Sequence, residues 1–267
     1  MAGEAFIFKS SGFQIDNLKT FLDEKVELYN SPNFIEADPI SIPHRFSRKE
    51  DIEIAAFLAA TIAWGNRKAI IKSADKMMKL LDESPFDFVM NHSAKDMARL
   101  KGFVHRTFNA EDLAHFIRSM RFIYTEKGGL EKVFANALKK QDNPQAAISS
   151  FKKIFFEIEH PLRTRKHVSD PMTGSSAKRI NMFLRWMVRN DKRGVDFGLW
   201  KKIPTSVLSI PLDIHTGNIA RKLGMLQRKQ NDWKAVEELD AVIRSFDPED
   251  PVKYDFALFG LGAIEKF

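Results

Sequence analysis

Apolar residues recur at three- and four-residue spacing along almost the whole chain, and that spacing confines it to helices more tightly than any other feature. In DIEIAAFLAATIAW, residues Ile52, Ala55, Ala56, Ala59, Ile62 and Ala63 recur so as to face a core, and Ser47 and Glu50 of SRKE are placed as a capping box ahead of them. Gly65-Asn66 interrupts that helix, and RKAIIKSADKMMKLL starts another. Asn109 is placed to cap AEDLAHFIRSMRFIYTEK, with Gly128-Gly129 as its stop. Asn143-Pro144 opens a further helix, Asp232 caps WKAVEELDAVIRSF, and Asp250-Pro251 opens VKYDFALFGL. Two-residue alternation is scarce, and no hairpin signal stands out. The expected class is all-α. No Pro/Ser/Gly linker divides the chain, so residues 1–267 read as one unit of two interlocked helical lobes.

Cysteine is absent, which excludes disulfides, thiolate zinc sites, cysteine nucleophiles and cysteine-ligated iron–sulfur clusters. The seven histidines show no His-x-x-x-His ligand spacing, and no Walker or Rossmann glycine loop occurs; no metal and no cofactor is expected. The net charge of +7 points to polyanions as partners: DNA, RNA or an anionic membrane face. No apolar run approaches the ~18 residues that would span a bilayer. The opening MAGEAFIFKSSGF has an early Glu and no long apolar segment, which reads against a secretory signal and for a cytoplasmic protein.

Chemistry concentrates in GSSAKRINMFLRWMVRN, residues 174–190. Ser175 or Ser176 is placed to cap this helix, and Ile180, Phe183, Leu184, Met187 and Val188 form a stripe for burial. Lys178, Asn181, Arg185 and Arg189 share another side. A lysine at a helix N-terminus opposes the macrodipole, which favours the neutral, nucleophilic amine. The same setting suits backbone phosphate, with free N–H groups of the turn Gly174-Ser175-Ser176-Ala177 pointing at the anion. Asp213, in SIPLDIHTGNIARKLGM, reads first as an N-cap, a role compatible with that of an ionised catalytic carboxylate.

With Lys178 and Asp213 both identified, the chain resembles the helix-hairpin-helix DNA glycosylase superfamily of endonuclease III and the 8-oxoguanine glycosylases. MTGSSAK, residues 172–178, is similar to the family's Leu-Pro-Gly-Val-Gly-X-Lys hairpin, with Ser176 in place of the second glycine and Asn181 three residues after the lysine. PLDIHTGNIARKLGM is similar to its Val-Asp-Thr-His segment, and EIAAFLAATIAWGNR to its early Leu-Leu-Ser-Ala-Gln helix, with Thr61 in the place of the glutamine. The chain also resembles an uncharacterised bacterial family.

The resemblance implies a two-lobed all-α fold with a DNA-binding cleft, the hairpin and catalytic segments lying at about residues 165–225. It implies that Lys178 is the Schiff-base lysine and Asp213 the catalytic aspartate of a base-excision glycosylase with β-lyase activity. A non-catalytic nucleic-acid-binding protein is the alternative. Arg179, Arg185, Arg189 and His215 join the turn as expected DNA contacts, and Thr61, Trp64 and Asn66 are the expected substrate pocket. Trp186, Trp200 and Trp233 read more naturally as core.

Overall fold

Among the residues described by this computed structural model, 12–141 and 143–267 with side chains from residue 16, the chain is α-helical apart from two two-residue strands. The opening stretch through residue 11, on which the expectation about secretion rests, lies outside the described residues. Helices α1 (Gly12–Tyr29), α2 (Asn33–Glu36), α3 (Lys49–Thr61), α4 (Arg67–Leu80), α5 (Pro85–Asn91) and α6 (Ala94–Ala98) form the first half. Strands β1 (Val104–His105) and β2 (Phe108–Asn109) follow as an antiparallel pair. Then come α7 (Ala110–Phe122), α8 (Leu130–Gln141), α9 (Pro144–Phe155), α10 (Lys178–Val188), α11 (Ile214–Lys222), α12 (Trp233–Phe246) and α13 (Tyr254–Phe259).

Side-chain caps fix most of the helix starts that the pattern marks. Asn109 and Asp112 form a reciprocal capping box on α7, Asn143 accepts from Gln145 and Ala146 at the head of α9, and Asp232 accepts from Ala235 in α12. Gly128 ends the turn after α7 in the left-handed conformation that a side chain resists. Helix α3 departs from the expected box: it begins at Lys49 with Arg48 as its N-cap and no side-chain cap, while Glu50 pairs with Arg48 at 3.3 Å. The small hairpin leaves no alternation in the sequence because each strand has only two residues, closed by a turn with Arg106 at φ 54°.

Helix α3 is the hub. Every residue from Ile52 to Thr61 is buried, so its pattern is a fully enclosed helix rather than one apolar face. The one acid in that run, Glu53, is satisfied by Trp200 Nε1 and Tyr124 Oη, both at 2.6 Å. Phe57 stands amid Phe116, Phe151, Phe155 and Phe183, with ring centroids 5.4–5.6 Å away. Helix α10 packs along α3, and α11 packs on α13. One continuous apolar cluster runs from Leu18 to Leu261. No helix among the described residues is long and apolar enough to cross a membrane.

Candidate active site

The segment before α10 is built from two 3-10 turns, Leu162–His167 and Pro171–Thr173, and not from an α-helix of a helix-hairpin-helix. Pro171 and the Asp170 side chain, which accepts from Met172, open the second turn, and Gly174 closes it at φ 95°. The N-cap of α10 is Ala177, itself left-handed at φ 48°, so the expected serine cap is corrected. Ser175 Oγ instead accepts from Ala177 N within the turn, at 3.2 Å, and Ser176 Oγ donates to Leu212 O at 3.3 Å. Asn181 reaches back to Ser176 O at 3.1 Å, and Trp233 N donates to Gly174 O at 3.0 Å. The turn is thereby bound to the stretch of chain that leads into Asp213.

Asp213 does cap α11, its Oδ1 accepting from Thr216 N at 3.0 Å. Its second oxygen lies 3.7 Å from Lys178 Nζ, and each of these side chains is 26% exposed. Two helix N-termini therefore present an amine and a carboxylate to each other. Both line a cavity of about 750 Å³ whose walls include Phe34, Trp64, Trp186, Phe256 and Phe259, a size and lining suited to an aromatic ligand.

Arg179 forms a third part of the wall. Its guanidinium lies 4.8 Å over the Trp64 ring and donates to the Thr61 carbonyl. Burial without a carboxylate partner pulls its pKa down to about 10. His215 sits exposed on the cavity rim and makes no hydrogen bond to Asp213 among the described residues.

Of the other expected contacts, Arg189 separates from the site, while Arg185 lines the cavity from a buried position. Arg185 and Arg189 are 3% and 2% exposed and do not face solvent phosphate. Arg185 binds Asp196 and Asp255, and Arg189 binds Asp196, Asp250 and Asp191. Burial pulls the Arg189 proton affinity down, but these carboxylates raise it above the ordinary arginine value. Thr61, expected in the pocket, is buried and does not line the cavity; its carbonyl accepts from Arg179, which does. Asn66 is exposed and caps α4 by accepting from Ala69 N at 3.1 Å, so it is a helix cap and not a pocket wall. Trp200 and Trp233 are core residues, bonded to Glu53 and Glu237. Trp186, although fully buried, shows one side to the cavity.

A family model described as "Protein of unknown function (DUF2400)" matches residues 38–264. The chain belongs to that family. No curated protein and no solved structure matches it. Within the DUF2400 span lie Lys178, Asp213, Arg179 and Trp64, together with two cavity acids that motif reading passes over, Asp38 and Asp255. Asp38 stands in a proline-bearing irregular stretch and resembles a turn residue by its neighbours. Asp255 does carry a signal, as a lone acid inside the apolar run VKYDFALFGL. Among the described residues no group of three or more His, Cys, Asp or Glu is arranged to hold a metal ion.

Proposed function

We propose that this protein is a DNA base-excision glycosylase with associated β-lyase activity, acting on a base turned out of the duplex into the cavity. The observation that carries the reading is the 3.7 Å approach of Lys178 Nζ to Asp213 Oδ2 at the wall of a cavity large enough for a nucleobase. The net charge of +7 supports a polyanionic partner, and Arg179 and Lys178 stand on the cavity wall where a DNA backbone would pass.

Extruding the base costs a few kcal/mol of unstacking, which contacts in the cavity and along the backbone offset. The Lys178 lone pair forms a bond to C1′ as the C1′–N bond to the base breaks. The electron pair leaves with the base, which takes up a proton. Asp213 receives a proton from the attacking amine and stabilises the positive charge that builds on the sugar. The C1′–O4′ bond then breaks, O4′ taking the proton held by Asp213, to give a protonated imine, and transfer of a C2′ proton to water expels the 3′-phosphate by β-elimination. The Asp213 cap holds its carboxylate on α11 through these steps, since Oδ1 stays on Thr216 N while Oδ2 faces the amine. The setting of the reaction is the cytoplasm and, in a bacterium, the nucleoid.

Borohydride trapping on duplexes carrying damaged or abasic sites tests the proposal. The wild-type protein is expected to form a covalent adduct, and Lys178→Gln to form none while still binding the duplex. Absence of an adduct from folded wild-type protein across a broad lesion panel overturns the enzyme. Salt-sensitive binding that persists in that case describes a nucleic-acid-binding protein on the same helices.

A further inference from the structure

Two carboxyl groups in the cavity wall have no part in the attack on C1′. Asp38 is 8% exposed and Asp255 7% exposed, yet both line the cavity. Asp38 uses Oδ1 to cap the Pro39–Ser41 turn, accepting from Ile40 N at 3.1 Å, and forms no salt bridge among the described residues. Asp255 Oδ2 accepts from Arg185 Nη1. The remaining oxygen of each, Oδ2 of Asp38 and Oδ1 of Asp255, has no hydrogen-bond partner among the described residues. A turn cap requires one oxygen only, which leaves the second carboxyl oxygen able to accept from a ligand in the cavity. Aromatic side chains flank both acids: Phe34 meets Phe256 edge-on at 5.3 Å and Phe259 at 5.8 Å.

An ionised carboxyl accepts hydrogen bonds and cannot donate them. Lys178, Arg185 and Arg67 stand near enough to favour the ionised form of Asp38, yet none of them bonds its Oδ2. Arg185 is committed to Asp196 and Asp255, Lys178 faces Asp213, and Arg67 lies 4.6 Å over the Phe259 ring. A ligand edge turned towards Asp38 and Asp255 therefore meets acceptors. Resting on the glycosylase reading, we propose that Asp38 and Asp255 read the edge of the extruded base, and that the site takes bases bearing an exocyclic amino group in preference to their oxo or deaminated counterparts. An amino group gives each free oxygen an N–H donor. A carbonyl at the same position sets lone pair against lone pair, as in a uracil-type edge. Burial raises both carboxyls, Asp255 to about 6, and an N–H donor from the base counteracts this by favouring the ionised form.

Nucleosides separate base reading from bond cleavage. Guanosine and inosine differ only by the 2-amino group and are the deciding pair; cytidine and uridine differ by a 4-amino group beside a bare N3 against a 4-carbonyl beside an N3–H. Binding to the full chain is read by quenching of tryptophan fluorescence, since Trp64 and Trp186 line the cavity. Guanosine and cytidine are expected to bind at least about tenfold tighter than inosine and uridine, the size of one hydrogen bond to a charged group. Asp38→Asn keeps the cap acceptor but adds a donor, and should bring each pair to within about twofold. Equal or reversed preference in the wild-type protein overturns the proposal, as does binding of none of the four at millimolar concentration. So does a full preference retained by folded Asp38→Asn; if that variant fails to fold, the wild-type pairs alone decide. Borohydride trapping run in parallel keeps the two readings apart. Nucleoside preference without any adduct upholds the base readout and sinks the glycosylase. Adducts on uracil-containing duplexes without nucleoside preference do the reverse.

Discussion

The two ends of α10 carry the same kinds of side chain and use them in opposite ways. At the N-terminal end, Lys178 and Arg179 line a cavity, one facing a single carboxylate and the other lying over an indole ring. Two turns later, Arg185 and Arg189 are enclosed, hold Asp191, Asp196, Asp250 and Asp255 around them, and lie 4.3 and 5.4 Å from the Phe256 ring. Helical spacing puts Lys178, Arg185 and Arg189 on one side, but burial and partner count divide them. Cations with surplus acids around them hold the fold together. Cations with few acids remain available to a ligand.

The largest test of that division is Arg189→Ala. Removing one member of a buried ion cluster leaves Asp191 and Asp250 without their cation and Asp196 with Arg185 alone, and the expected loss is about 3–5 kcal/mol of stability, read by urea denaturation. A variant that keeps its stability and instead loses DNA affinity would undo the division, because Arg189 would then belong with the cavity end.

The core around α7 extends the rule to groups that lose their charge when enclosed. His115 is fully buried with Nδ1 unpartnered, and burial holds its pKa down at about 4. His167 is likewise held at about 4 by burial, which outweighs the Asp112 carboxylate 3.2 Å away. A histidine whose folded value is depressed contributes stability that is present above the unfolded value, near 6.5, and is lost as pH falls towards 4. Between pH 7 and 5, His115→Phe should therefore spare about 2 kcal/mol of the acid-induced loss. Asp240 runs the other way. Burial pushes it up to about 6, so its contribution is present below the ordinary carboxylate value and is lost as pH rises to about 6. Paired pH–stability curves of the wild-type protein and His115→Phe check the sign, and parallel curves would show that His115 is not charging on unfolding.

The smallest effect is expected at the open end. Arg179→Gln should lower the slope of log binding constant against log salt by about 1, the value of one phosphate contact, with the fold intact by circular dichroism. An unchanged slope would assign Arg179 to bracing Thr61 and Trp64 alone.

Much of this architecture is legible in the chain's local pattern. Asn109, Asn143 and Asp232 cap the helices they precede because a cap is a local bond between a side chain and a backbone two or three residues away. Asp213 is of that kind too. Where local geometry misleads, a neighbouring residue offers the backbone a different start: Ala177 in place of a serine before α10, and Arg48 in place of Ser47 before α3. Asn66 stands near Trp64 in sequence, which suggests the pocket, although its amide is occupied by the α4 N-terminus.

Spacing over a few residues was enough to establish the all-α class and most helix starts, whereas the pairing of Lys178 with Asp213 was implied by a family resemblance. It could not establish that Arg185 and Arg189 are enclosed while Lys178 and Arg179 stay on a cavity wall, or that Asp38 and Asp255 enter that same cavity; those facts came from the packed fold. The physical reason is range. A cap or a helical face depends on near neighbours in the chain, whereas burial and the choice of ionic partner depend on segments far apart in sequence that meet only when the core closes.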